Sequence, residues 1–333
     1  MDRRTSRLES LPPLELRSLR SLDLEQAPSE GRHAHVSSAS GVVRRGDFVY
    51  VVGDDLLSLA VFRMSSPGPG ELRQVLPGTL PVDEAQRKAA KPDFEALTVL
   101  PPFEGDPYGA LLGLGSGSAE GRDRGFVWSL QADGALRGEP RIVDLSPLYR
   151  LLGEQVDQLN IEGACVMGER LWLLHRGNHA ETTNVVAELS LAAVMESLRG
   201  DARIDVHELA AVRSYDLGEL DGVEVTFSDA TPLGGDLLVF TASAEGQGES
   251  VTEDGEIRGS VVGTIDLDGD VRRMRTIDRR YKVEGVHATI DTGVMDFLFV
   301  CDQDDPQTSS PLLAASMPVD GRLERAAAGE LSP

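Results

Sequence analysis

The chain has 333 residues, 55 acidic against 32 basic, for a formal net charge of −23. Such an excess repels nucleic acid and anionic membrane surfaces unless basic residues cluster, and no such cluster occurs. With 35 Gly, 18 Pro, 41% hydrophobic and only 5% aromatic residues, the composition points to many turns around an aliphatic core, which argues against disorder and against long helices.

Taken from the start, Met1 to Arg20 carries charge but lacks the apolar run of a secretory signal. No stretch approaches the roughly 18 apolar residues of a membrane span. A cytoplasmic location without a membrane partner is the expectation. Residues 1–9 and 326–333 read as frayed ends of one domain spanning 10–325. The alternation from Leu14 to Leu24 predicts a strand that closes the domain beside Leu312 to Met317.

A short phrase then returns along the chain: Ser38-Ala39-Ser40-Gly41-Val42, Asp93-Phe94-Glu95-Ala96-Leu97, Asn160-Ile161-Glu162-Gly163-Ala164, Gly222-Val223-Glu224-Val225 and Lys282-Val283-Glu284-Gly285-Val286. The four glutamates are 67, 62 and 60 residues apart, each interval close to one propeller blade with generous loops, and Ser40 precedes Glu95 by 55. After each phrase an apolar run ends in polar residues. These endings are Asp54-Asp55, Ser116-Gly117-Ser118, His175-Arg176-Gly177-Asn178-His179, Ser243-Ala244-Glu245 and Asp302-Gln303-Asp304-Asp305.

Outer strands are predicted over 125–130, 185–189 and 260–267, with turns at Asp133-Gly134 and Asp268-Gly269 and short helices over 147–152 and 191–198. The fold expected is all-β, a single β-propeller of five blades closed by the N-terminal strand. A sixth blade from 142–159 or 204–217 is left open. Cys165 and Cys301 lie in apolar runs without metal-type spacing and read as buried free thiols.

In a four-stranded meander the start of the first strand and the end of the second meet at one edge, so all five phrases and endings would converge around the axis. Crowded carboxylates repel one another unless a cation neutralises them. A divalent ion, calcium foremost and magnesium next, would take oxygen ligands from Glu95, Glu162, Glu224, Glu284, Asn178 and Asp302. Candidates for chemistry are Glu162 and Glu284 (with Asp302) as general bases, His175, His179 and His287 as proton carriers, and Arg176 as an anion clamp. The competing reading makes the glutamates glue between blades, paired with Lys91, Lys282, Arg176 or Arg258.

At these phrases the chain resembles bacterial propellers of the phytase-like esterase type and related uncharacterised propeller families, over about Ser38 to Asp305. The resemblance implies hydrolysis of a small phosphate ester, ester or lactone on one face of the channel, with metal support. Ser40 in place of Glu, and Val225 in place of Gly, depart from it. A non-catalytic propeller that binds a small ligand or a protein on the same face is the alternative.

Overall fold

The structure is a computed structural model and describes residues 2–177, 183–200, 202–234, 236–247 and 254–319. Two strands, β1 (Asp2–Thr5) and β2 (Arg17–Ser21), precede the first repeat. Blade 1 is β3 (Ala39–Arg45), β4 (Phe48–Gly53), β5 (Ser58–Arg63) and β6 (Glu71–Gln74). Helix α1 (Glu84–Ala90), capped by the Asp83 carboxylate accepting the Gln86 N–H, leads to blade 2. That blade is β7 (Phe94–Leu100), β8 (Ala110–Gly115), β9 (Arg124–Ser129) and β10 (Arg141–Asp144).

Helix α2 (Ser146–Gly153) starts with Pro147, which lacks only an N–H that the first turn does not use. Blade 3 follows as β11 (Ile161–Met167), β12 (Arg170–His175), β13 (Asn184–Ser190), α3 (Leu191–Arg199) and β14 (Ala211–Asp216). Blade 4 is β15 (Glu219–Leu220), β16 (Val223–Gly234), β17 (Leu237–Gln247), β18 (Asp254–Asp266) and β19 (Val271–Thr276). Blade 5 is β20 (Val283–Asp291), β21 (Val294–Cys301) and β22 (Pro311–Pro318), with β2 as its outer strand.

The five sheets stand around an axis, each with its first strand innermost. In turn β3 packs on β7, β7 on β11, β11 on β16, β16 on β20, and β20 back on β3. The apolar core is divided accordingly, one cluster filling each interface between neighbouring blades. Middle strands are therefore covered on both faces, which is why β4 and β8 read as unbroken apolar runs rather than alternating ones.

The predicted closure is present: β2 pairs antiparallel with β22 from Arg17 opposite Ala314 to Ser21 opposite Pro311. Both predicted helices form, as α2 and α3. No sixth blade exists among the described residues; 142–159 and 204–217 contribute β10, α2 and β14 to blades 2 and 3. The beginning of the chain differs from expectation. Residues 2–5 are not frayed but pair in parallel with β14 as a fifth strand of blade 3. Arg3 bonds Asp216 at 2.9 Å and Arg4 bonds Asp270 at 2.6 Å, holding a strand with no apolar signal of its own and covering an exposed sheet edge. Residues 326–333 lie outside the described residues. Among the described residues, no helix is long and apolar enough to cross a membrane.

Candidate active site

Each innermost strand carries a bulge near the same end of the channel, where its pairing with the second strand skips a residue. The skipped positions are Ser40, Glu95, Glu162 and Ser228, and in β20 the pair Glu284 and Gly285. A bulge turns an extra side chain out of the ladder. The repeat is thus a structural device that delivers one polar residue per blade to one mouth of the channel.

The glycines that follow are fixed by packing. A Cβ on Gly163 would lie 2.9 Å from the Ala230 nitrogen of the next blade, and one on Gly285 would lie 2.6 Å from the Ser40 carbonyl oxygen. Only glycine lets neighbouring inner strands approach so closely. Blade 4 solves the same joint differently: fully buried Asp229 follows its bulge and accepts the Val286 N–H of blade 5 at 2.9 Å and the Ala230 N–H at 2.7 Å.

Ser228, not Glu224, is therefore the blade 4 member of the repeat. Because β16 begins four residues early, in a hairpin with β15, Glu224 sits opposite Glu219 at an exposed edge and takes no part in the site. The resemblance of Gly222-Val223-Glu224 to the other phrases is coincidental. The usable signal was Phe227-Ser228-Asp229-Ala230, 66 residues after Glu162.

At the opposite corner of each blade, the second strand ends level with the bulge: Gly53 faces Ala39, Gly115 faces Phe94, His175 faces Ile161 and Cys301 faces Val283. Asp54, Ser116, Arg176 and Asp302 follow directly. The convergence expected from the meander holds for Glu95, Glu162, Glu284, Arg176 and Asp302. Asn178 and His179 lie outside the described residues.

Four cations thread this group of carboxylates. Arg176 holds Glu245 of blade 4 at 2.5 Å and lies 3.9 Å from Glu162. Lys282 is 3.0 Å from Asp304, 3.7 Å from both Glu284 and Glu245, and 3.9 Å from Asp302. Lys91 pairs with Asp54 of blade 1 and, at 2.7 Å, with Asp93, which Arg122 also holds at 2.8 Å. These contacts tie blade 1 to 2, 3 to 4 and 4 to 5, as the glue reading expects. Among the described residues, the eight carboxylates Asp54, Asp93, Glu95, Glu162, Glu245, Glu284, Asp302 and Asp304 outnumber these four cations.

That surplus sets the electrostatics. Burial first, then the charges of Glu162, Asp93 and Asp54, push the half-buried Glu95 carboxyl well above its usual range. Glu162 is buried and pushed up to about 8, against the pull of Arg176 and with Glu284 and Asp93 adding to the rise. Its Oε1 accepts the Asn160 amide at 2.6 Å. Burial also raises Glu284, but Lys282 and Arg176 oppose it. Burial raises Asp302 strongly, with Lys282 opposing. Against its own burial, Asp54 is held low by the Lys91 ammonium.

The histidines do not act as expected. His175 is buried, its Nδ1 accepts the Asn160 N–H at 3.0 Å, and burial lowers it to about 4, so it is the neutral imidazole near pH 7. It instead orients Asn160 and, through it, Glu162. His287 lies three residues beyond Glu284 along β20, about 10 Å at the rise of a strand. Burial lowers it to about 4, and its charged neighbours are Arg44 and Arg45 rather than the carboxylates. Cys165 and Cys301 are free and buried, as expected.

Residues 35–317 match DUF6929, a family of unknown function. The chain belongs to this family. No curated protein matches the sequence. Among solved structures, the α-L-arabinofuranosidase PaAbf62A from Podospora anserina, in complex with cellotriose, is similar with a TM-score of 0.50 and 9% identity over 92% of this chain and 98% of that one. The α-L-arabinofuranosidase Arb93A from Fusarium graminearum aligns with a TM-score of 0.41 and 8% identity, over 90% of this chain and 98% of that one. At such identity the likeness to PaAbf62A is one of fold. The DUF6929 chain is a propeller.

Proposed function

We propose that the carboxylate mouth is the active site of a hydrolase that works by carboxyl acid–base catalysis on a small neutral substrate rich in hydroxyls, through an ester, lactone or glycosidic bond. The observation that carries this reading is Glu162: a buried carboxyl, hydrogen-bonded by Asn160 and raised to about 8, hence protonated at neutral pH. A protonated carboxyl there can donate to a leaving oxygen. Glu284, beside the Lys282 ammonium at 3.7 Å, is better placed to stay charged and to activate water. Burial raises both carboxyls, but two cations oppose the rise at Glu284, so Glu284 is the member of the pair given the role of base.

The charge balance favours a neutral substrate over the phosphate ester expected from the sequence, because a dianion would meet more carboxylates than cations. A calcium or magnesium ion is a further proposal for this mouth. Asp54, Asp93 and Glu95 each offer an oxygen within 4.8 Å of the others, a donor set that suits a hard cation. Lys91 already lies against two of the three, so the ion would compete with a cation built into the chain. No step of the proposed chemistry passes through it.

The second reading, a propeller that binds a small ligand or a protein on this face without turning it over, is favoured by the ion pairs that occupy Arg176 and Lys282. A panel of 4-nitrophenyl glycosides, 4-nitrophenyl esters, lactones and phosphate monoesters, assayed with and without calcium and with chelator, separates the two. The hydrolase reading expects turnover of a neutral member, a loss of about 10²-fold or more in both Glu162→Gln and Glu284→Gln, and retained folding. Absence of turnover across the whole panel rejects it.

A further inference from the structure

The inner strands that begin at the carboxylates end in a different environment. Val99 and Val166 lie four residues beyond Glu95 and Glu162 on β7 and β11, about 13 Å away along a strand. They line a cavity of about 490 Å³ at the other mouth of the channel, within the range of small-molecule sites. Its walls are apolar: Pro101, Pro102 and Pro107 from the loop after β7, Tyr108 beside them, and Pro232 near the end of β16. Proline backbone is already restricted, so such a wall loses little freedom when a ligand arrives.

One charged side chain lines this cavity, Arg45 at the end of β3, and no acid does. In a chain of net charge −23 that is unusual. The two acids nearest in sequence are engaged elsewhere. Asp106 is buried against the Ser129 hydroxyl, with Arg137 at 3.3 Å, while Asp133 accepts the Ala135 N–H at 3.0 Å. Arg45 itself is exposed and makes no ion pair among the described residues. Solution salt screens the distant carboxylates within about 10 Å, which leaves the guanidinium to dominate locally.

We infer that this mouth is a second binding site, separate from the proposed active site, for an amphipathic monocarboxylate whose apolar body lies on the proline and valine wall and whose carboxylate pairs with Arg45. Guanidinium and carboxylate match in a two-point fork, which an alcohol or an amine does not reproduce.

The test is a titration followed by the methyl signals of Val99 and Val166, using 4-phenylbutyrate, 4-phenylbutan-1-ol and 4-phenylbutylamine as probes. The expected result is saturable movement of both signals, with the carboxylate binding about tenfold more tightly than the alcohol and the amine weakest. Arg45→Gln, an exposed substitution, removes the preference for the carboxylate and leaves alcohol binding unchanged. Glu162→Gln leaves all three affinities as they were. Unmoved methyl signals, an amine bound as well as the acid, or a preference that survives Arg45→Gln overturns the inference.

Discussion

The two mouths of the channel are built by the same five strands, yet they solve opposite problems. At the bulged ends, buried and half-buried carboxylates from all five blades are threaded by Lys91, Arg122, Arg176 and Lys282. At the far ends of β7, β11 and β16, exposed and half-buried proline and half-buried valine surround a single arginine. The difference teaches that symmetry of backbone does not impose symmetry of chemistry. A bulge per blade fixes where a side chain emerges, while the identity of that side chain remains free.

Removing a cation from the charged mouth should break the comparison most severely. Arg176→Ala takes from half-buried Glu245 its 2.5 Å partner, leaving it Lys282 at 3.7 Å, and should cost about 3 kcal/mol in urea unfolding. The same truncation at Arg45 should change stability by less than about 0.5 kcal/mol, since that side chain is exposed. Next comes the joint between blades: Gly285→Val drives a side chain against the Ser40 carbonyl and should cost about 1–3 kcal/mol by the same measurement.

The smallest net effect is the slope of stability with pH, because groups of opposite sign offset one another. Because Glu162 holds its proton up to about 8 in the folded chain, it stabilises fully below the ordinary glutamate pKa of 4.5, and that contribution is lost as pH rises through 8. His175 and His287, lowered to about 4 from 6.5, do the reverse: they favour the fold above 6.5, and that contribution is lost as pH falls through 4. Unfolding measured from pH 6.5 to 8, above the window of the two histidines, should flatten in Glu162→Gln.

Much of the fold was legible because its cause is local and repeated. A polar phrase, an apolar run and a polar ending recur at the blade period, and the strand at 17–21 advertised its role by alternation. The failures have equally definite causes. Glu224 misled because a short motif carries no register, and only the longer β16 places Ser228 at the bulge. Strand β1 had no apolar pattern to read, since paired arginines hold it. Within the site, Glu95, Glu162 and Glu284 were found by repetition, whereas the Arg176–Glu245 pair, 69 residues apart, depends on how blades 3 and 4 meet. His175 was misjudged because its burial, which decides its charge, is a property of the closed ring.

The central claim is that the crowded mouth keeps a glutamic acid protonated at neutral pH, poised to donate a proton. It is tested most directly by following the side-chain carboxyl carbons of glutamate-labelled protein by nuclear magnetic resonance across a pH titration. One glutamate signal, absent in Glu162→Gln, should titrate near pH 8. If no glutamate signal titrates above about pH 6, the account of this mouth as an acid–base site is contradicted.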